Sequence, residues 1–167
     1  MIDSSNICLA CGLCCDGTLI GFVQLGQEEL PRLKEIMEIE DVNGQGFFLH
    51  PCDKYCNGCT IYSERPKHCA SFKCGLLKSV EQKELGFESA TEIINVVKQK
   101  KIAIERQLAI LKINLKSQSF YFKMVELKKW LHKNTSAAAS TQDHLELTSE
   151  LNQLDSLLSE KFNLSLN

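Results

Sequence analysis

The hydrophobic positions divide the chain into an irregular first part and a helical second part. From about residue 89 onward, apolar residues recur every three or four positions, which is the period of an amphipathic helix. Three such seams follow one another: Val97, Ile104, Leu108, Leu111 and Leu115; Phe120, Met124, Leu127 and Leu131; and Leu147, Leu151, Leu154 and Leu158. Three amphipathic helices with short links between them predict a helical bundle.

The ends of these helices carry capping patterns. Ser89 and Glu92 match a capping box, so the first helix is predicted to begin there and to run for roughly 27 residues, or about 40 Å. Lys101 interrupts its apolar seam. A linker of small residues at 136–140 precedes the third helix, where Ser140 with Asp143 is the candidate cap.

The first part of the chain alternates short apolar runs with turn residues. The runs at 18–25, 47–49 and 59–62 contain the β-branched and aromatic residues that predict strands. The segment 27–38 predicts a helix, in which Pro31 is tolerated only in the first turn. Short elements separated by turns are typical of a small, irregular domain.

The pattern as a whole predicts an α+β protein with two parts. Residues 1–86 are predicted to form a small, irregular domain, which is cysteine-rich and is therefore expected to be metal-binding. Residues 87–167 are predicted to form a mainly helical C-terminal extension of three amphipathic helices. Pro66 suits the first turn of a further short helix near the end of the first part.

All nine cysteines lie in the first part, between Cys8 and Cys74. They form two clusters, Cys8-x2-Cys11-x2-Cys14-Cys15 and Cys52-x3-Cys56-x2-Cys59-x9-Cys69-x4-Cys74. A CxxC spacing allows a tight turn that brings both thiolates to one ion. In a reducing compartment such density indicates metal or redox chemistry, and the odd count argues against a closed set of disulfides.

Three other interpretations of the cysteines remain open. They could be small buried hydrophobic residues, but they are crowded beside turn residues such as Gly12, Asp16, Asn57 and Gly58. They could form a disulfide framework. A thiol-exchange site is the third alternative, although no βαβ pattern surrounds the CxxC pairs.

The spacing of the cysteines restricts how they can share metal. Cys14 and Cys15 are adjacent, so their side chains diverge and are poorly placed to share one ion. A sensible arrangement combines Cys8, Cys11 and Cys14 with one distal cysteine, while Cys15 faces a second site or bridges two metals. Because 36 residues separate Cys15 from Cys52, bound metal would join the two halves of the domain and contribute folding free energy.

The sequence over roughly residues 8–77 resembles the CxxCxxCC cysteine-cluster family (YkgJ-like), which is described as zinc- or iron-chelating. The match rests on CLACGLCC at 8–15, the Pro-Cys step at 51–52, CTIYSERPKHC at 59–69 and FKC at 72–74. The resemblance implies a ligand set of Cys8, Cys11, Cys14, Cys15, Cys52, Cys59, Cys69 and Cys74. Cys56 is additional to the pattern, and Ala70 stands where the family commonly carries arginine.

The identity of the metal is open between iron and zinc. Eight cysteines could supply two zinc sites of four thiolates each, or they could hold iron–sulfur clusters. A tandem CxxCxxC with a remote fourth cysteine is similar to ferredoxin spacing, but no proline follows Cys69 or Cys74. Zinc sites more often come as separated CxxC pairs. We expect an iron–sulfur cluster by a small margin.

This expectation leads to three hypotheses about function. The first is a redox or electron-transfer role for an iron–sulfur cluster. The second is a structural zinc-binding module whose C-terminal helices recruit a protein partner, and the third is a metal carrier. No catalytic residue stands out, and enzymatic activity is left open.

Several residues near the cysteines are candidates for a supporting role. Arg65 could donate hydrogen bonds to a thiolate-rich cluster, or it could be a surface residue near a helix start. Tyr62 and Phe72 are predicted to pack around the site and shield it. His50 and His68 could act as ligands, but polar packing is the simpler interpretation, because enough thiols are present without them.

The charge is uneven although the net charge is only −2. Residues 1–97 carry −6, residues 98–133 carry +8 and residues 134–167 carry −4. The basic stretch could bind a polyanion, but we expect it to pack against the acidic remainder of the chain, which makes nucleic-acid binding the weaker alternative. With no long apolar run and no secretory signal, we expect a cytoplasmic protein without membrane partners.

Overall fold

A computed structural model describes residues 4–134 and 141–166 of the chain. The protein is a mixed α+β fold with a helical C-terminal part, as the sequence predicts. The linker at 136–140, with the candidate cap Ser140, lies outside the described residues. No helix in these two described ranges is long and apolar enough to cross a membrane.

A small antiparallel sheet holds the first part together. Its strands are β1 (Phe22–Gln24), β2 (Glu40–Val42) and β3 (Gln45–Leu49), in the spatial order β1-β3-β2. β1 is shorter than the strand predicted at 18–25. The strand predicted at 59–62 is wrong: Cys59 makes only an isolated bridge with Tyr55, and a 3-10 turn follows at Tyr62–Glu64.

The first part also contains four short helices. They are α1 (Ser4–Cys11), α2 (Leu30–Ile36), α3 (Lys67–Ser71) and α4 (Gly75–Glu81). A 3-10 turn at Gln27–Glu29 leads into α2, and Pro31 lies in the first turn of α2 as predicted. α2 packs on the sheet through a small hydrophobic core, which we call the sheet core: Val23, Leu25, Leu30, Leu33, Met37 and Phe48.

The second part contains three longer helices, α5 (Phe87–Ile110), α6 (Phe120–Lys133) and α7 (Gln142–Leu157), followed by a π-helical turn at Leu158–Phe162. The capping box predicted at Ser89 is wrong. Gly86 is the N-cap of α5 and has an extended backbone, so Ser89 lies inside the helix. α5 also ends five residues before Leu115, the last member of its predicted seam.

A larger hydrophobic core, here called the main core, joins the two parts. It contains Ile7, Leu13, Leu19, Leu76 and Leu77 from the first part, together with the buried seam residues of α5, α6 and α7. The interruption of the α5 seam has a clear physical reason. Lys101 forms an ion pair with Asp16 at 3.0 Å and lies 5.3 Å from the centre of the Phe120 ring.

Basic residues of the 98–133 stretch pair with acidic residues elsewhere in the chain. Lys100 contacts Glu150 at 3.0 Å, and Lys128 contacts Asp155 at 2.5 Å. Together with the Lys101–Asp16 pair, these contacts connect the basic helices to α7 and to the cysteine-bearing turn after α1.

Candidate metal centre

The cysteine-bearing segments surround one cavity of about 560 Å³. Its lining includes all eight cysteines of the predicted ligand set together with the three predicted supporting residues: Cys8, Cys11, Cys14, Cys15, Cys52, Cys59, Cys69, Cys74, Tyr62, Arg65 and Phe72. Cys56 is not among the lining residues and is exposed. All nine cysteines are free thiols in the part of the chain that the structure describes.

A glycine turn places the first cysteines around the cavity. α1 ends at Cys11, and Gly12 adopts the left-handed region with a φ of 66°. A Cβ at Gly12 would lie 2.7 Å from the ring of Tyr55, so a side chain would be both strained and obstructed. The chain then folds back, with hydrogen bonds from the Asp16 N–H to the Gly12 carbonyl at 2.9 Å and from the Gly17 N–H to the Cys14 carbonyl at 3.1 Å.

Four cysteines lie at the helical side of the cavity, and we call them the first group: Cys8, Cys11, Cys14 and Cys74. Cys74 is the N-cap of α4, and its Sγ accepts a hydrogen bond from the Leu77 N–H at 3.5 Å. α4 packs against α1, which carries Cys8 and Cys11. Cys11, Cys14 and Cys74 all pack against the main core.

We call the other four cysteines the second group: Cys15, Cys52, Cys59 and Cys69. The Cys52 N–H donates to the Cys15 carbonyl at 2.8 Å, which joins two segments that are distant in the sequence. Cys52 and Cys69 pack against the sheet core. Cys69 lies on α3, whose first N–H group, from Lys67, donates to the buried carboxylate of Glu29 at 2.8 Å.

Burial raises the pKa of seven of the cavity thiols: Cys8, Cys11, Cys14, Cys15, Cys52, Cys69 and Cys74. The pKa of Cys11, Cys15 and Cys69 is raised to about 12 and that of Cys52 to about 11, with burial as the largest cause in each case. Neighbouring thiolates raise them further: Cys74 and Cys8 act on Cys11, and Cys59 and Cys52 act on Cys15. These seven thiols are therefore protonated at neutral pH, and a cation that replaced their protons would offset the cost of burying them as thiolates.

Arg65 brings a positive charge to the cavity. Its Nε and Nη1 atoms are buried without a hydrogen-bond partner, and the guanidinium carbon lies 3.6 Å above the centre of the Tyr62 ring. Burial is the main reason for the raised pKa of Cys8 and of Cys69, and the charge of Arg65 opposes it in both. Arg65 therefore acts on one member of each group, and its free N–H groups suit an anionic acceptor.

The two candidate histidines have different surroundings. His50 is only 2% exposed, and its Nδ1 lies 3.2 Å from the Cys15 carbonyl, while its Nε2 is buried without a hydrogen-bond partner. Burial lowers the pKa of His50, which favours the neutral ring. His68 is exposed, and its Nδ1 contacts the Gln24 carbonyl of β1. His50 thus orients the peptide beside Cys15, and His68 attaches α3 to the sheet.

Sequence reasoning missed two residues that hold the cysteine segments in place. Glu29 binds the start of α3, and its burial is unusual for a carboxylate. Lys98 of α5 donates to the Ala10 carbonyl at 3.3 Å, and its charge opposes the rise in the pKa of Cys11, which comes mainly from burial. Neither contact could be found from the sequence, since both join segments 38 or more residues apart.

Across the two described ranges, no three His, Cys, Asp or Glu side chains are already arranged so that they could hold a metal ion. No family model, no curated protein and no solved structure matches the chain.

Proposed function

We propose that this protein binds metal through the eight cysteines that line the cavity, as an iron–sulfur cluster with a redox or electron-transfer role. One observation carries the proposal: eight of the nine cysteines meet at one cavity, although they lie on segments spread from residue 8 to residue 74. The ninth, Cys56, is exposed elsewhere. Cysteines that served only as small hydrophobic residues would not be expected to gather around one cavity in this way.

The residues present fit a metal–thiolate group. The cavity offers sulfur donors and the unpartnered N–H groups of Arg65, and hydrogen bonds of that kind stabilise the sulfurs of such groups. Binding requires the thiols to lose their protons and to draw closer together. An iron–sulfur cluster, when bound, would accept and release an electron.

The spacing of the first group favours iron–sulfur over zinc. Two residues stand between Cys8 and Cys11 and between Cys11 and Cys14. These three cysteines line the cavity together with the remote Cys74. In two-cluster ferredoxins, three cysteines with this spacing ligate one cluster, and the fourth cysteine of the same motif ligates the other cluster. Here Cys15 is the fourth cysteine of the run, and it lies with the second group.

A structural zinc module is the second candidate. The second group contains no CxxC pair, and its cysteines lie on the turn after α1, on the segment after β3 and on α3. An ion held by four such separated thiolates would fasten these segments together without any redox change. The long helices would then be free to recruit a partner.

The test is anaerobic purification of the full chain, followed by a visible absorption spectrum and by analysis of iron, zinc and acid-labile sulfide on one sample. We expect a brown protein with iron and sulfide in near-equal amounts. Cys11→Ser should lower the metal content, and the matched variant Cys56→Ser should leave it unchanged.

Each other result has a definite meaning. A colourless chain with bound zinc would discard the electron-transfer role and favour the zinc module. Metal that exchanges rapidly with a competing chelator would indicate a carrier. A chain that holds no metal under any of these conditions would overturn metal binding itself.

A further inference from the structure

We propose that the cavity holds two separate metal centres with assigned ligands. The first group, Cys8, Cys11, Cys14 and Cys74, ligates one centre, and the second group, Cys15, Cys52, Cys59 and Cys69, ligates the other. This assignment rests on the proposed metal-binding function and adds to it the number of centres and the ligands of each.

The assignment begins at the Cys14–Cys15 peptide. Cys14 packs against the main core, which lies on the helical side of the cavity. The carbonyl of Cys15 accepts the N–H of Cys52 at 2.8 Å and faces Nδ1 of His50 at 3.2 Å, so Cys15 is attached to the segment that follows β3. Two adjacent residues are thus held to opposite sides of one cavity.

The packing of α3 and α4 decides which distal cysteine completes each group. Cys74 begins α4, and α4 packs against α1 and contributes Leu76 and Leu77 to the main core. Cys69 lies on α3, which packs against β1, and Cys69 itself contacts the sheet core. Although only four residues separate them, packing directs Cys74 to the first group and Cys69 to the second.

Local backbone contacts place Cys59 with the second group. The Tyr55 N–H donates to the Cys52 carbonyl at 3.0 Å, and Tyr55 forms an isolated bridge with Cys59. The two centres are therefore distinct but adjacent, with the Cys14–Cys15 peptide between them.

The first experiment uses the unmodified full chain, so that folding of variants plays no part. Metal is removed stepwise from the anaerobically purified protein with a chelator, and exposed thiols are trapped with N-ethylmaleimide and located by peptide mass spectrometry. We expect two steps. Cys74 should become reactive together with Cys8, Cys11 and Cys14, and Cys69 should become reactive in the other step.

The outcomes separate this assignment from the proposed function. If Cys74 became reactive together with Cys69, or if all eight thiols became reactive in one step, the division into two centres would be wrong while metal binding would stand. A chain that carried no metal at the start would overturn both.

Paired substitutions provide an independent test. Cys74→Ser and Cys59→Ser should each remove about half of the bound metal, because each damages one of two four-thiolate centres. The double variant Cys11→Ser with Cys74→Ser should lose little more metal than Cys74→Ser alone. The double variant Cys59→Ser with Cys74→Ser should lose the remaining metal. Cys56→Ser is the matched control, and far-UV circular dichroism identifies any variant that fails to fold. Equal losses from both double variants would contradict the assignment.

Discussion

At the scale of single residues, Arg65 has the clearest consequence for chemistry. Its Nε and Nη1 atoms are buried without a hydrogen-bond partner. Its charge opposes the rise in the pKa of Cys8 in the first group and of Cys69 in the second, a rise that comes mainly from burial. Positive charge and hydrogen bonds near an iron–sulfur cluster favour its reduced form, because reduction adds negative charge. If the chain binds the proposed iron–sulfur cluster, Arg65 is therefore expected to raise its reduction potential.

Replacing Arg65 tests this expectation. Arg65→Gln should lower the reduction potential by about 60 mV, the equivalent of about 1.4 kcal/mol for one electron, which is close to the lower limit of about 1.5 kcal/mol for a hydrogen bond to a charged group. Arg65→Lys, which keeps the charge, should lower it less. The measurement is an anaerobic redox titration of the purified protein. Arg106→Gln, which removes an exposed arginine from α5, is the control, and equal potentials for the two glutamine variants would contradict the prediction.

The buried thiols also predict a pH dependence for the metal-free chain. The pKa of Cys11, Cys15 and Cys69 in the folded chain is about 12, above the ordinary value of 9.0. A raised folded pKa contributes stability that is fully present below pH 9.0 and is lost as the pH rises toward about 12. After allowance for the partial exposure of the thiols, we expect a loss on the order of 1 kcal/mol per thiol in this window.

Urea unfolding of the metal-free chain, repeated from neutral pH into this window, measures the loss. Cys11→Ser should weaken the pH dependence, whereas Cys56→Ser should leave it as it is, because Cys56 lies outside the cavity. If the two serine variants lost stability equally with rising pH, burial of the cavity thiols would not be the cause of the pH dependence.

At the scale of elements, the Lys101–Asp16 pair connects α5 to the cysteine-bearing turn. Both side chains are largely shielded, at 19% and 16% exposure, and Asp16 also accepts the Thr18 N–H at 2.9 Å. Lys101→Gln should lower the free energy of unfolding by about 1–2 kcal/mol, because it leaves a shielded carboxylate without its cation. Urea unfolding measures the change.

The matched control for this pair is Arg106→Gln, which removes the same charge from the same helix at an exposed position. We expect a change within about 0.5 kcal/mol for this control. Equal destabilisation by the two variants would show that the charge of α5, and not the contact with Asp16, is responsible.

The elements show what the sequence could predict. The seams of α5, α6 and α7 were predictable, because a repeat of three to four residues leaves a strong pattern and buries residues such as Ile104, Met124 and Leu151. β2 was missed, since Glu40–Val42 is exposed throughout and has no apolar alternation. The helix start at Gly86 was also missed, because the capping box at Ser89 gave a competing local pattern.

For the candidate site, the clustering of the cysteines was predictable from their spacing, and eight of them line one cavity. The spacing did not predict that Cys74 packs against the main core and Cys69 against the sheet core, because this depends on the packing of α3 and α4. Such packing arises from contacts between distant segments, which no local pattern in one sequence records.

At the scale of the whole molecule, the C-terminal turn packs against the start of α4, directly beside Cys74. A Cβ at Gly75 would lie 2.9 Å from the backbone of Phe162, so the two segments approach as closely as glycine allows. Phe162 is fully buried in the main core together with Leu76. The position of Cys74 thus depends on the far end of the chain.

This dependence predicts that damage to each core affects a different set of thiols. Phe162→Ala should lower the free energy of unfolding by about 3–5 kcal/mol. Because this substitution also loosens α4, Cys74 should react with N-ethylmaleimide before Cys69. Leu33→Ala removes a fully buried side chain from the sheet core and should reverse this order, with a loss of about 2–5 kcal/mol. Peptide mass spectrometry of the metal-bound variants measures both orders. The same order in both variants would mean that the cores support the cysteines as one unit, so that the C-terminal turn has no selective effect on Cys74.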